Sequence, residues 1–270
     1  MTNIDIDSPY PLTDTQIADF RDKGFIKLSE VLSPATIAHY GAEITQQTIA
    51  LNTQRLPLEL RTTYDKAFLQ IMNLWESSAL VREFVLGKRL GRIAAELLEV
   101  ASVRLYHDQS LYKEPGGGIT PAHADQYYWP LTTDRTITAW IPLQAVPLEM
   151  GPLGFYAGSQ SVEFGRDLGI SDESEALITA NMAKHGFPFV VEPFALGDVS
   201  FHLGWNFHRA GPNTSAQPRS VMTMIYMDGD MRLAAPRNDK QRNDHASWCP
   251  GAVVGEVIRT PKNLPIYARA

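Results

Sequence analysis

His123 and Asp125 stand two residues apart in the stretch Thr120-Pro121-Ala122-His123-Ala124-Asp125-Gln126-Tyr127-Tyr128-Trp129-Pro130. On an extended strand, residues i and i+2 leave the same face, so an imidazole and a carboxylate at this spacing can close on one metal ion. A third ligand is offered further on by Phe201-His202-Leu203-Gly204-Trp205-Asn206-Phe207-His208, which carries two imidazoles. Two imidazoles and one carboxylate on a single face make the set that holds non-haem Fe(II) and leaves the other side open for substrate and oxygen. Taken alone, His-X-Asp is common by chance, and a solvated pair is its ordinary meaning. Arg219, eleven residues beyond His208, supplies context. It opens the run Arg219-Ser220-Val221-Met222-Thr223-Met224-Ile225-Tyr226, whose apolar and β-branched content reads as a strand. A guanidinium held there can clamp a carboxylate through two parallel hydrogen bonds, which a lysine does less well.

These residues resemble the phytanoyl-CoA dioxygenase family of Fe(II)- and 2-oxoglutarate-dependent oxygenases, whose motif is His-X-Asp, a distal His, and an Arg eleven residues after it. His123, Asp125, His208 and Arg219 match position by position. Lys113, Pro115, Tyr128-Trp129-Pro130, Trp140, Gly151-Pro152-Leu153-Gly154-Phe155 and Gly158-Ser159-Gln160 extend the likeness from about Leu12 to Pro265. The resemblance implies His123, Asp125 and His208 as iron ligands, with Arg219 receiving the far carboxylate of 2-oxoglutarate and O2 as the other co-substrate. The spacing to Arg219 selects His208 over His202. Gln109 either bonds the co-substrate or satisfies a buried backbone group, and Trp140 either flanks the co-substrate or fills core. Relatives often carry a Ser or Thr two residues after the distal histidine. Here Ala210 stands in that place, so Thr120 or Gln109 is the expected substitute. Tyr127, Tyr128 and Trp129 follow the ligands directly and are the expected substrate-side walls.

The activity implied is oxidation of an unactivated C–H bond in a small metabolite, such as a natural-product intermediate, with release of succinate and CO2. Hydroxylation is the commonest outcome, with desaturation, ring closure and epimerisation as the others. Halogenating relatives replace the ligand carboxylate by a small residue, and retention of Asp125 argues against that branch. Two other classes remain open. A cupin-like metal-dependent isomerase or hydrolase would keep the barrel without needing Arg219, and a non-catalytic binding protein would keep the pocket without turnover.

Composition sets bounds on the rest. At 270 residues the chain is expected to form one unit over 1–270, since barrel-like β folds with added helices often reach about 250 residues. Cys249 is the single cysteine, so no internal disulfide is available. The amino terminus Met1-Thr2-Asn3-Ile4-Asp5-Ile6-Asp7 is acidic and lacks a secretory pattern, and no run approaches the roughly 18 apolar residues of a membrane span. These features lead to the cytoplasm as the expected location and to no membrane partner. A net charge of -6 argues against a nucleic-acid binder. A monomer or homodimer acting on a small molecule is expected.

Helical signals dominate about residues 12–100. Thr13-Asp14-Thr15-Gln16 is a capping box leading to Gly24, Phe25-Ile26-Lys27-Leu28 reads as a strand, and Ser33-Pro34 starts a helix to about Ala50. Residues 51–63 read as an irregular loop. Two further helices carry Leu80, Val81, Phe84 and Val85, then Leu90, Ile93, Ala94, Leu97 and Leu98, as apolar stripes that buttress a sheet. Over about 101–228 the texture changes to strands: Val103 to Lys113, the His123 strand, the half-buried alternation Thr136 to Ile141, Phe187 to Phe194, Val199 to Leu203 and Val221 to Met227. Gly116-Gly117-Gly118 reads as a turn, and Ser171 to Lys184 as a helical insertion. Residues 229–270 read mostly as loop, and Lys66 and Lys113, which could attract an anionic group, read by default as solvated lysines. The class is α+β. A double-stranded β-helix, or cupin-like jelly roll, buttressed by the amino-terminal helices is what the resemblance implies.

Overall fold

Local capping signals set the early boundaries. The computed structural model describes residues 4–269, so the first three residues of the acidic amino terminus, and Ala270, lie outside the described residues. In chain order the elements are α1 (Asp14–Lys23), β1 (Phe25–Leu28), α2 (Pro34–Leu51), α3 (Thr63–Ala67), β2 (Leu69–Met72), α4 (Ala79–Val85) and α5 (Lys88–Leu97). They continue with β3 (Ser102–Tyr112), β4 (Thr120–His123), β5 (Thr136–Pro142), β6 (Leu153–Tyr156), α6 (Asp172–Lys184) and β7 (Phe189–Val191). The last are β8 (Val199–Leu203), β9 (His208–Ala210), β10 (Val221–Asp228), α7 (Asp239–Trp248) and β11 (Pro265–Ala268). Thr13 and Gln16 form the reciprocal cap of α1, and Gly24 closes it at φ 78°, a conformation that favours glycine. Ser33 caps α2 with Pro34 in its first turn, as its sequence predicts.

The strands make two antiparallel sheets that face one another, the jelly roll expected from the resemblance. The larger has seven strands in the order β1-β8-β5-β10-β3-β11, with β2 also paired to β3; the smaller has four, β4-β9-β6-β7. Period-two alternation sorts each strand of the larger sheet into an outer and an inner set. Outward go Ile137, Ala139 and Ile141 from β5, Val199 and Phe201 from β8, and Met222, Met224 and Tyr226 from β10, to share a core with Ile37, Tyr40, Phe84 and Ile93 of the helices. Inward go Thr138 and Trp140, His202, and Thr223 and Ile225, all of which line one cavity. Trp140 and Val221 of the larger sheet also pack on Leu153, Phe155 and Ala210 of the smaller, which closes the sandwich at that end.

Three expectations change. β5 is buried at every residue, where alternation read as half-buried, because helices cover its outer face and the second sheet its inner one. β7 spans Phe189–Val191 alone, since Pro188 and Pro193 flank it and have no N–H for a ladder. The tail is more ordered than its Pro, Asn and Asp content indicated: Asn238 caps α7, and β11 pairs with β3. Among the described residues no helix is long and apolar enough to cross a membrane.

Candidate metal centre

His123 is the last residue of β4, and Ala124 stays extended (φ −122°, ψ 132°) before a 3-10 turn at Asp125–Tyr128. The i, i+2 relation therefore works through extended backbone, although the regular strand has already stopped before Asp125. β9 brings the other imidazole, because His208 is the ladder partner of His123. The two rings stand 4.2 Å apart between centroids. One nitrogen from each and one Asp125 oxygen all lie within 4.8 Å of one another. Asp125 Oδ1 is 3.4 Å from His123 Nε2 and 3.6 Å from His208 Nε2.

Backbone contacts decide which ring atoms are free. His123 Nδ1 is 2.7 Å from the Pro121 carbonyl, and His208 Nδ1 is 3.0 Å from that of Asn206. A carbonyl oxygen only accepts, so in each neutral ring Nδ1 carries the proton and Nε2 offers its lone pair to the cavity. Burial, with His123 nearby, holds the His208 pKa well below its ordinary value, which keeps the ring neutral and able to ligate. Burial opposes the charge on Asp125, yet the imidazoles gathered around it outweigh burial, His202 by a hydrogen bond to Oδ2, and its carboxyl sits well below the usual range. This donor set fits a divalent iron: two neutral imidazoles and one carboxylate, each anchored through its other polar atom, facing open space.

His202 takes a different post. Its Nε2 meets Asp125 Oδ2 at 3.2 Å, and the Thr138 hydroxyl donates to the same oxygen at 3.0 Å, so the pair orients the carboxylate from behind. Phe155 packs beneath both His202 and His208, with centroids 5.3 and 6.2 Å away. His202→Ala is expected to weaken Fe(II) binding about 10- to 100-fold without abolishing it, the usual consequence of losing a partner behind a ligand. Anaerobic iron titration checks this, and a loss as complete as that of a His208 variant would make His202 a ligand instead.

β4 contains a bulge. Thr120 pairs with Ala210 and His123 with His208, so β4 spends one residue more than β9 between the two pairs. Thr120 and His123 consequently both line the cavity, although their odd spacing would send them to opposite faces of a regular strand. Ala122 turns outward to Ile178, Met182 and Phe207. Glu175 on α6 ties both ligand strands together, accepting from the Ala122 N–H at 2.7 Å and pairing with Arg209 at 2.6 Å.

The cavity has a volume of about 330 Å³ and reaches from these ligands to Arg219. Arg219 is 2% exposed, bonds the Gly151 carbonyl through Nη1, and has its guanidinium 5.4 Å from the Trp140 ring centroid. Burial lowers its pKa to about 9, so it stays cationic at neutral pH. Its Nε is buried without a partner. Such an unpaired donor in a buried guanidinium is costly. Lys113, expected to be solvated, is instead fully buried. It donates to the carbonyls of Gly118 at 2.5 Å and Gly211 at 2.8 Å, and stands 3.5 Å from the Thr120 hydroxyl. Burial first, then Arg219, pull its pKa to about 6. It thus pins two loops at neutral pH with little charge of its own, whereas Lys66 is partly exposed.

The structure brings His123, Asp125, His208, Arg219, Gln109, Thr120, Trp140, Tyr128 and Trp129 to this one cavity. Gln109 accepts from Gln70 Nε2 at 2.5 Å. Tyr127 does not line the cavity; it lines a separate surface groove, with its ring edge-on to that of Tyr128 at 4.9 Å between centroids. Sequence reading passed over Tyr64, Gln70, Thr138, His107, Asp244 and Trp248 in the wall. The last two had a signal, an i, i+4 pair behind the N-capping Asn238.

The family model described as Phytanoyl-CoA dioxygenase (PhyH) matches residues 20–221. The chain belongs to the phytanoyl-CoA dioxygenase family. As a member it is an iron- and 2-oxoglutarate-dependent oxygenase, as the motif implied. Among relatives of this PhyH chain, methylphosphonate hydroxylase from Gimesia maris is 26% identical over 235 residues, covering 82% of this chain and 84% of that protein. The non-heme alpha ketoglutarate dependent carbocyclase SnoK from nogalamycin biosynthesis superposes with a TM-score of 0.78 at 22% identity, over 96% of this chain and 100% of that one. EctD from S. alaskensis, solved with 2-oxoglutarate and 5-hydroxyectoine, gives 0.68 at 19% identity, over 87% and 84%. Both structures support the double-stranded β-helix.

Proposed function

We propose that this PhyH-family chain hydroxylates a small metabolite, with His123, Asp125 and His208 as the iron ligands and Arg219 as the anchor for 2-oxoglutarate. Iron held by these three residues would couple decarboxylation of 2-oxoglutarate to reduction of O2 and oxidation of a substrate C–H bond. The chain's own residues bind and orient. Arg219 presents its fork to the distal carboxylate, and the Trp140 face beside it shields the pair from water. Thr120 supplies the hydroxyl that Ala210 lacks: the two are ladder partners, so a hydroxyl from β4 arrives beside the place where β9 has none. His202 and Thr138 hold Asp125 in line with the imidazoles, and the fixed Nδ1 protons of His123 and His208 keep both ligand nitrogens aimed inward. The helical layer shares its core with the larger sheet, and that sheet, α3 and α7 of the tail all line the cavity, which supports one unit over 1–270. The single buried thiol, Cys249, agrees with a cytoplasmic setting.

The unpaired Arg219 Nε carries the reading, because neither an isomerase, a hydrolase nor a passive binder using the same ligands needs a buried guanidinium facing the metal residues. Purified protein given Fe(II), 2-oxoglutarate and air without substrate should form succinate slowly, lose this with a chelator, and regain it with iron but not zinc. Metal-dependent turnover of a substrate without 2-oxoglutarate would favour the isomerase or hydrolase instead.

A further inference from the structure

Part of the cavity wall is left over once the metal ligands and the co-substrate anchor are accounted for. It is built from Tyr64, Tyr128, Trp129, His107, Asp244 and Trp248. Asp244 and Trp248 are one helical turn apart on α7, so their side chains project from one face. α7 is fixed over the turn that follows Asp125 by Gln241, whose Nε2 donates to the Tyr127 carbonyl at 3.0 Å. The other aromatics are held as firmly. The Tyr128 hydroxyl accepts from the Ile170 N–H at 2.9 Å, Trp129 packs 5.6 Å from Tyr106, and Trp248 lies 5.2 Å from His107, all between ring centroids for the last two pairs.

The charges in this wall are lopsided. Among the described residues Arg219 is the one arginine or lysine that lines the cavity, and in the proposed function 2-oxoglutarate takes it up. His107 offers no positive charge at neutral pH, since burial lowers its pKa to about 4. Burial raises the Asp244 pKa to about 7, so the carboxyl is only part-ionised at neutral pH, and the donors that meet it are neutral, the Tyr106 hydroxyl at 3.4 Å and the Trp248 side chain. Lys240 reaches it through its field, and among the described residues no ion pair to it forms. A partly buried carboxyl of this kind has no cation paired with it, and an ammonium beside it would favour the ionised form. The Tyr64 and Tyr128 rings in the same wall would attract that cation further, whereas the Trp248 ring already has Lys262 Nζ 5.8 Å from its centroid. An anionic substrate finds no counter-charge here, so the phosphonate in the name of the Gimesia maris relative is not carried over.

We propose that the substrate carries a protonated amine, received by the Asp244 carboxyl, which the Trp248 side chain holds by a hydrogen bond, in the part of the cavity that Tyr64 and Tyr128 also line. What is done to that substrate rests on the oxygenase reading above; where its amine sits does not. Asp244 is accordingly a specificity-determining residue, and its helix sorts substrates by charge in the wall of the metal-centre cavity.

The test uses two probes of matched shape, cyclohexylammonium and cyclohexanol, titrated calorimetrically into the full-length protein, metal-free and again with Fe(II) and 2-oxoglutarate under anaerobic conditions. In the parent the ammonium should bind at least about tenfold more tightly than the alcohol, and in Asp244→Asn the two should fall within about twofold of each other. Trp248→Leu should shrink the preference as well. Equal binding of both probes to the parent overturns the proposal without any variant, and so does a preference that survives Asp244→Asn. Failure of the oxygenase reading looks different: the parent would then give no iron-to-2-oxoglutarate charge-transfer band, while the amine preference of the metal-free protein would persist.

Discussion

Replacing Arg219 with leucine is expected to lower the apparent affinity for 2-oxoglutarate by at least about tenfold. A charge-assisted pair with a carboxylate in a water-poor pocket is worth on the order of 2–5 kcal/mol, much of it the penalty for leaving one partner unpaired, and each 1.4 kcal/mol or so is a factor of ten. No neighbour compensates. Lys113 is close by, but burial and Arg219 hold its pKa at about 6, and its Nζ is already shared between two loop carbonyls. Arg219→Lys should recover part of the loss, keeping a charge and giving up the fork that the Gly151 carbonyl fixes in place. Iron affinity without co-substrate should change little, since Arg219 is no ligand. The measurement is a co-substrate titration of parent and both variants, following the charge-transfer absorbance without oxygen, beside circular dichroism to confirm that the leucine variant is folded. Equal affinities in all three would remove Arg219 from the site.

His208→Ala should abolish tight Fe(II) binding and succinate formation while the protein stays folded. A missing ligand leaves two donors, so the loss should exceed the 10- to 100-fold or so that follows from disturbing a partner behind a ligand. Folding should survive because β9 remains paired on both sides, to β4 and β6, and because the deleted ring is neutral and leaves no charge uncompensated. His123→Ala should behave alike. Anaerobic iron titration together with thermal melts separates loss of the metal from loss of the fold. Unaltered affinity in the His208 variant would refute the ligand assignment.

How much of this was legible beforehand depends on the range of the interaction. Caps are local, so Thr13, Ser33 and Gly24 marked helix ends that the structure reproduces within a residue or so. The ligand set was legible through spacing and resemblance together, since His202 and His208 look alike until the fold turns one towards Asp125 Oδ2 and the other towards Oδ1. Long-range pairing was not legible. β9 is three residues long and carries no period of its own; its existence depends on β4 and β6. Burial of Lys113 depends likewise on carbonyls at Gly118 and Gly211, and Asp244 reaches the cavity only because α7 docks on the turn after Asp125.

The bulge in β4 bears on where the chain can change length. Residues 52–62 form a connection with no strand partner, where a residue more or less alters loop closure slightly and leaves the side chains elsewhere facing as they do. Between Thr120 and His123 the surplus residue is the reason that the Thr120 hydroxyl and the His123 imidazole share one surface. Deleting one residue there would restore a regular ladder and point Thr120 away from Arg219 while His123 stayed in place. Changes in chain length are therefore better placed in the 52–62 connection, with the count of residues between Thr120 and His123 left alone.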